Sequence, residues 1–265
     1  MAFEQERDVA IEAALQAGNL IRMHAGRLSN EQIKEKSLYN LLTFVDDEAQ
    51  RLIMSILMDV FPAYGFLAEE QTEHHDKPGI ARWIIDPIDG TTNFAHGVPP
   101  YAVSIALQVE KEVVVGVILD VSRDELFTAT KGGGFYVDGV KKQVSAHTDL
   151  KTALLTTGFP YQEWDHIDAY LHVLRHFMAS AQAVRRTGSS VIDLAYLAAG
   201  RFDGLFKMGY EIWDVAAGSL MIQEAGGMLT DFSGGDGWLT ERRLVASNGL
   251  IHQVLLEGVT PLSNV

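Results

Sequence analysis

The segment Trp83-Ile84-Ile85-Asp86-Pro87-Ile88-Asp89-Gly90-Thr91-Thr92-Asn93-Phe94 concentrates the chemistry of this chain. Two carboxylates, Asp86 and Asp89, stand three residues apart at the end of an apolar run, with a proline fixing the chain between them. Carboxylate oxygens are the donors a hard divalent cation prefers. Gly90-Thr91-Thr92-Asn93 follows at once and suits a turn opening into a helix. The first N–H groups of a helix lack partners within it and form an anion site. A phosphate oxygen could thus bridge cations and amides supplied by one short stretch of chain. Asp-x-x-Asp alone also fits an acid-rich turn with helix caps. The apolar strand before it and Gly-Thr-Thr behind it favour a site.

Other acids stand at the ends of elements. Glu69 and Glu70 follow Tyr64-Gly65-Phe66-Leu67-Ala68, again acid at the end of a strand-like run. Asp46 follows Thr43 near the start of a helical pattern. Asp214, in Trp213-Asp214-Val215-Ala216-Ala217-Gly218, is expected at or near a helix N-cap, with small residues behind it that let the helix approach the core. Each of these, taken singly, also reads as a cap or a solvated surface acid.

The charge balance limits what such a site can do. Lys and Arg number 21 and Asp and Glu 35, a net charge of −14. A chain this acidic repels nucleic-acid phosphates and anionic lipid, so direct nucleic-acid and membrane binding are not expected. A phosphorylated ligand would require positive charge from elsewhere, and metal ions are the obvious source. Cysteine is absent, which removes disulfides, thiolate nucleophiles and zinc–thiolate sites. The N-terminus is acidic where a signal peptide is basic, and no apolar run approaches the ~20 residues that cross a bilayer. A soluble, cytoplasmic protein is expected.

The elements that must position these residues are partly legible. Apolar residues Val9, Ala13, Ala17, Leu20 and Ile21 predict a helix over Glu4 to His24. Val45, Ala49, Leu52, Ile56 and Val60 predict a second, stopped by Pro62, with a polar connector from about Ser29 to Asn40 between them. Strands are predicted at Trp83–Ile85, Tyr101–Val109, Val113–Leu119, Leu126–Thr130 and Phe135–Val137, with turns at Glu110–Glu112 and Asp138-Gly139. The second half alternates: strand 153–157, helix 165–179, helix 191–199, a strand near Leu205-Phe206, helix 214–224 ended by Gly226-Gly227, strand 244–246 and a short final helix. The order implies a layered α/β or α+β protein.

Some signals are set aside. Gly132-Gly133-Gly134 lacks the Lys-Ser/Thr of a P-loop and reads as a turn. His172 and His176 lack the glutamate of a metalloprotease helix, and His74-His75 and His96 carry no pattern.

Taken together, Trp83 to Asn93, Trp213 to Gly218 with Glu224-Ala225-Gly226-Gly227, Gly65 to Glu70 and Asn40 to Asp46 resemble the inositol monophosphatase family of magnesium-dependent, lithium-sensitive phosphatases, over essentially the whole chain. The resemblance implies an α+β fold, a layered αβαβα sandwich shared with fructose-1,6-bisphosphatase. It implies a single catalytic unit over 1–265, with an N-terminal lobe of about 1–148 bearing the metal and phosphate motifs and a C-terminal lobe of about 149–265 bearing the substrate side and Asp214. A homodimer is expected. By resemblance Glu69, Asp86 and the carbonyl of Ile88 hold one Mg²⁺, Asp86, Asp89 and Asp214 a second, and a weaker third lies near Glu69. Thr91, backed by Asp46 and helped by Glu69, handles the proton of the attacking water, and the N–H groups of Gly90 and Thr91 hold phosphate. Asp89 and Asp214 also border the substrate, with Arg185 and Ser190 on its far side.

Lys207 departs from the pattern, since inositol-selective relatives carry a glutamate that accepts a ring hydroxyl. A lysine cannot accept that bond but could favour a second phosphate or a carboxylate. Asn40 replaces a common aspartate. The expected reaction is hydrolysis of a small phosphate monoester, inositol monophosphate first. The alternatives are fructose-1,6-bisphosphatase, histidinol-phosphatase or 3′-phosphoadenosine 5′-phosphate phosphatase activity, or a regulatory binding protein on the same fold.

Overall fold

The computed structural model describes residues 2–28, 33–37, 40–70 and 81–263. Helix α1 (Glu4–His24) is followed by the antiparallel pair β1 (Ile33–Ser37) and β2 (Asn40–Thr43), then by α2 (Phe44–Val60). Both helices lie where the periodicity places them, yet each buries a slightly rotated face. In α1 the buried stripe is Ala10, Ala13, Ala14, Ala17, Gly18 and Ile21, with Val9 and Leu20 at its margins. The small residues let the helix sit directly on Leu119. In α2 the buried face is Val45, Asp46, Ala49, Gln50, Ile53 and Leu57, so Leu52 and Ile56 move to the margin and Val60 to solvent. That rotation carries Asp46 inward, an arrangement apolar periodicity alone does not anticipate.

The first sheet runs β3 (Gly65–Ala68), β4 (Ala81–Asp89), β5 (Ala102–Val109), β6 (Glu112–Asp120), β7 (Glu125–Thr130), β8 (Gly134–Val137) and β9 (Val140–Lys142) in that spatial order. Only β3 and β4 are parallel; the rest pair antiparallel through short turns. A short helix, α3 (Thr91–Ala95), leads from β4 towards β5. The second sheet has the order β11-β10-β12-β14-β13, built from β10 (Leu154–Thr157), β11 (Ala183–Arg185), β12 (Gly204–Met208), β13 (Met228–Thr230) and β14 (Arg243–Ser247). Helices α4 (Ile167–Ser180), α5 (Ser190–Ala198), α6 (Ile212–Glu224), α7 (Trp238–Glu241) and α8 (His252–Val259) complete the chain.

Side-chain alternation fixes the layers. Trp83 and Ile85 face α1 and α2, whereas Ile84 between them faces α5 and α6. Leu205 and Ala246 close the α5–α6 layer from the second sheet, while Phe206 and Val245 point the other way, onto α4 and α8. The result is an α+β sandwich of five layers, αβαβα.

Several elements differ from the sequence reading. β4 continues through Asp86 and Asp89 instead of stopping at Ile85. The helix expected from Asp165 begins as a 3-10 turn at Trp164–His166 and becomes α-helical at Ile167. β11 and β13 are three-residue strands, too short to leave a periodic signal. Asn40 lies in β2, its side chain outside the described residues, as are His74 and His75.

Helix α6 touches the first sheet through backbone. A Cβ on Gly116 would lie 2.8 Å from the carbonyl of Ala217, and a Cβ on Gly218 would overlap Leu194 of α5. Gly218→Val should therefore lower the stability by about 1–3 kcal/mol through overpacking, read as a lower urea midpoint. An unchanged midpoint would show that α6 has room to move.

Candidate metal and phosphate site

The site begins with an irregularity in β4. In an unbroken strand residues three apart point to opposite faces. Here Asp86 pairs with Ser104 and Asp89 with Ala102, so three steps on β4 match two on β5. The extra residue is a bulge, where Pro87 is tolerated because no ladder N–H is required. It turns Asp86 and Asp89 to the same side. Gly90 then takes φ 91°, a left-handed conformation, and leads into α3. A Cβ there would also crowd the carbonyls of Pro100 and Gly188, at 3.1 and 3.3 Å.

Asp214 and Asp46 arrive by one device used twice. Each is the third residue of its helix, in a capping box. Asp214 Oδ2 accepts the backbone N–H of Glu211 at 3.0 Å. Asp46 Oδ2 accepts the N–H and hydroxyl of Thr43, at 2.9 and 2.6 Å. In both, the cap engages one oxygen and fixes the direction of the other. Asp214 thereby joins Asp86 and Asp89, with one carboxylate oxygen from each lying within 4.8 Å of the others. Asp46 turns to α3 instead, where Thr91 Oγ1 lies 3.2 Å from its Oδ1 and 2.9 Å from the carbonyl of Ile88.

Glu69, Asp86, Ile88, Asp89, Gly90, Thr91 and Asp214 line one cleft of about 160 Å³. Ser190 and Lys207 are hydrogen-bonded to each other and, like Asp46, are not among its lining residues. Arg185 is absent from the lining as well. It ends the edge strand β11, exposed, with its guanidinium donating to the carbonyl of Val184. Arg186 lines the cleft in its place, its guanidinium over the rings of Phe159 and Tyr161 at 5.6 and 5.8 Å. Arg185 is the last residue of β11 and Arg186 the first beyond it, so the two side chains leave the sheet edge from different backbone. Thr92 and Gly188 are further lining residues that sequence reasoning passed over.

Ser189 was also missed. Its hydroxyl donates to Asp89 Oδ2, which accepts the N–H of Val191 at 3.0 Å as well. Asp89 thus holds the N-terminus of α5 while presenting its other oxygen to the cleft. Ser before an apolar helical run is an N-cap signal, and Ser189 carries it immediately before α5. Asn93 completes the frame, its amide donating to the carbonyls of Pro100 and Thr187 at 2.8 and 3.0 Å. Gly132–Gly134 is the turn between β7 and β8, capped by Glu224, and His96, His172 and His176 are exposed.

The electrostatics describe acids short of counter-charge. Burial, then the repulsion of Glu69, Asp89 and Asp214, holds the Asp86 carboxyl well above the usual range. Burial raises Asp89 to about 6, with Asp214 adding and Lys207 opposing. Burial also raises Asp46 to about 6. Asp86 is 1% exposed, and its Oδ1 has no hydrogen-bond partner. An orphaned buried carboxylate oxygen among all-oxygen donors fits a hard divalent cation of the Mg²⁺, Mn²⁺ or Ca²⁺ type.

The raised acids have a consequence for stability. Between their ordinary value of 3.8 and about 6, the folded metal-free protein holds protons at Asp89 that the unfolded chain has released. Their contribution is present at low pH and lost as pH rises through about 6. In excess chelator, Asp89→Asn should therefore gain stability relative to wild type between about pH 5 and pH 7.5, measured by thermal melts. A gap that stays constant or moves the other way would contradict the crowding of these acids.

The sequence model of the inositol monophosphatase family matches residues 3–264. An inositol-1-monophosphatase of Mesorhizobium japonicum is 40% identical over 257 residues, 97% of each chain. A protein of Pseudomonas aeruginosa named Nus factor SuhB is 39% identical, covering 96% of this chain and 95% of its own. The crystal structure of the extragenic suppressor protein suhB of Bartonella henselae superposes with a TM-score of 0.93 at 38% identity, over 97% of this chain and 99% of that one. With the acids of the cleft and the five-layer fold in agreement, the chain belongs to the inositol monophosphatase family.

Proposed function

We propose that the protein is a Mg²⁺-dependent phosphomonoesterase that cleaves a small polyol or sugar phosphate, of the inositol monophosphate type, to alcohol and phosphate. The observation that carries this reading is the convergence of Asp86, Asp89 and Asp214 on the cleft that Gly90 and Thr91 also line. Glu69, Asp86 and the Ile88 carbonyl would hold one ion, Asp86, Asp89 and Asp214 a second, and Glu69 would border a weaker third. Bound there, the ions supply charge neutralisation for the phosphate and lower the pKa of water.

The chain's own groups do the rest. The N–H groups of Gly90 and Thr91 open α3 and face a phosphate entering the cleft. Thr91 Oγ1 can accept the proton of the attacking water while passing its own to Asp46 Oδ1, 3.2 Å away. Asp46 is suited to receive it, because burial raises it to about 6 and Thr43 fixes its other oxygen. The Ile88 carbonyl, 2.9 Å from Thr91 Oγ1, is the alternative acceptor for the hydroxyl's one proton, so Thr91 stands between Asp46 and a proposed metal donor.

A homodimer in the cytoplasm inhibited by lithium belongs to the same proposal. A second reading, a regulatory protein acting through a protein partner, draws on the relatives named Nus factor SuhB. The charge of −14 disfavours direct contact with nucleic acid in that role.

Phosphate release across polyol, sugar and nucleotide phosphates, with Mg²⁺ and with chelator, tests the reading. Release should require the metal, and Asp89→Asn should lower kcat by about 100- to 1,000-fold. Near-normal turnover by Asp89→Asn, or release undiminished by chelator, would overturn it. A partner retained by Asp89→Asn in pull-downs would support the second reading.

A further inference from the structure

Asp193 is the one charged residue of α5, and it is 3% exposed in a helix whose other residues from Val191 to Ala198 are hydrophobic and buried. A carboxylate in such surroundings persists only where hydrogen bonds compensate its lost water. Its Oδ1 lies 2.8 Å from the hydroxyls of both Thr156 and Thr187. Burial nevertheless raises its pKa to about 7, with Thr156, Thr187 and Lys207 opposing. It is not among the residues that line the cleft, and it forms no ion pair among the described residues.

Thr187 leads from this acid to the cleft. Its Oγ1 accepts the backbone N–H of Ser189 at 3.3 Å. The hydroxyl's own proton has two acceptors in reach, Asp193 Oδ1 at 2.8 Å and the Ser189 carbonyl at 3.2 Å. The nearer is a buried carboxylate, which makes the stronger, charge-assisted bond. Ser189 in turn donates its hydroxyl to Asp89 Oδ2. Two buried acids therefore hold one serine: Asp89 takes its hydroxyl, and Asp193, through Thr187, directs its backbone. Gly188, between Thr187 and Ser189, takes φ 99° and lines the cleft. A Cβ on it would overlap the amide of Asn93, which holds the Thr187 carbonyl at 3.0 Å. The turn that carries Ser189 is thus fixed at its backbone by α3 and at a side chain by α5.

Resting on the metal reading above, we infer that Asp193 is a positioning residue for Asp89: through the Thr187 hydroxyl it fixes Ser189, and Ser189 aims the carboxylate that a cation in the cleft would use. Asp89 stands on β4 of the first sheet, whereas Asp193 is tied by Thr156 to β10 of the second. The chain Asp89–Ser189–Thr187–Asp193–Thr156 joins the two sheets through α5. Outer partners of this kind set the direction of a metal ligand, and losing one weakens metal binding.

Calorimetric titration with Mn²⁺, paired with thermal melts of the metal-free protein, tests this on the intact chain. Thr187→Val keeps the shape of the side chain but removes the hydroxyl, and it should raise the Mn²⁺ dissociation constant by about 10-fold. Thr187→Ser should restore it. Asp193→Ala should weaken binding to a similar extent. Asp193→Asn keeps an Oδ1 acceptor and should recover most of the loss, which separates the hydrogen bond from the charge. Thr156→Val is the comparator, because it removes the other hydroxyl from the same carboxylate oxygen. It should lower the melting midpoint and leave the Mn²⁺ affinity little changed. Combining Asp193→Ala with Thr187→Val should weaken binding no further than either change alone, since both break one chain.

Wild-type Mn²⁺ affinity in Thr187→Val would overturn the proposal. So would equal weakening by Thr187→Val and Thr156→Val, as expected if Asp193 only holds α5 to the second sheet. If Asp193→Ala does not fold, the threonine variants decide. A wild type that binds no Mn²⁺ would overturn the metal reading and this inference with it. Phosphate release plays no part in the readout, so a failure of the phosphatase reading alone leaves the result standing.

Discussion

Carboxylates that repel one another are held together in a cleft of about 160 Å³, and most of the surrounding structure serves to keep them there. Two like charges 4 Å apart cost about 4 kcal/mol at an effective dielectric near 20. Asp86 bears the largest share, since it is buried against Glu69, Asp89 and Asp214 at once. The basic residues nearby are engaged elsewhere: Arg186 lines the cleft with its guanidinium over Phe159 and Tyr161, and Lys207, which opposes the rise of Asp89, is tied to Ser190. Hard cations held by these acids would resolve the conflict and would give an acidic chain the positive charge that a phosphate ester requires.

Rigidity comes from backbone hydrogen bonds and close packing more than from ion pairs. Asp46 and Asp214 are capping-box residues, Asp89 accepts from the first turn of α5, and a strand bulge aims Asp86 and Asp89 together. Asp89 and Asp214 each secure a helix with one carboxylate oxygen and reach the cleft, while Asp46 secures its helix with Oδ2 and meets Thr91 with Oδ1. Helix α6 can hold Asp214 in place because Gly116 and Gly218 let it pack against β6 and α5 without intervening side chains. The same acids therefore belong to both the fold and the site.

Much of this was legible in the sequence. The run from Trp83 to Asn93 announced its acids and its turn, and the small residues after Asp214 announced a closely packed helix. The inward rotation of Asp46 was not legible, because a polar residue on a buried face leaves no apolar mark. Nor was the bulge, which depends on the register between β4 and β5. The exchange of Arg185 for Arg186 turned on where the three-residue β11 ends, a boundary set by its pairing with β10. Ser189 and Asp193 were hidden for a related reason. Their partners, Asp89 and Thr156, are distant in sequence and meet only when the two sheets enclose α5.

Crystals grown with Mn²⁺ and measured at wavelengths on either side of its absorption edge would test the shared-cation account most directly. The account predicts anomalous density between Asp86, Asp89 and Asp214, with Asp86 in contact with more than one ion. A cleft free of anomalous density at high Mn²⁺, with those three carboxylates still gathered around it, would contradict it.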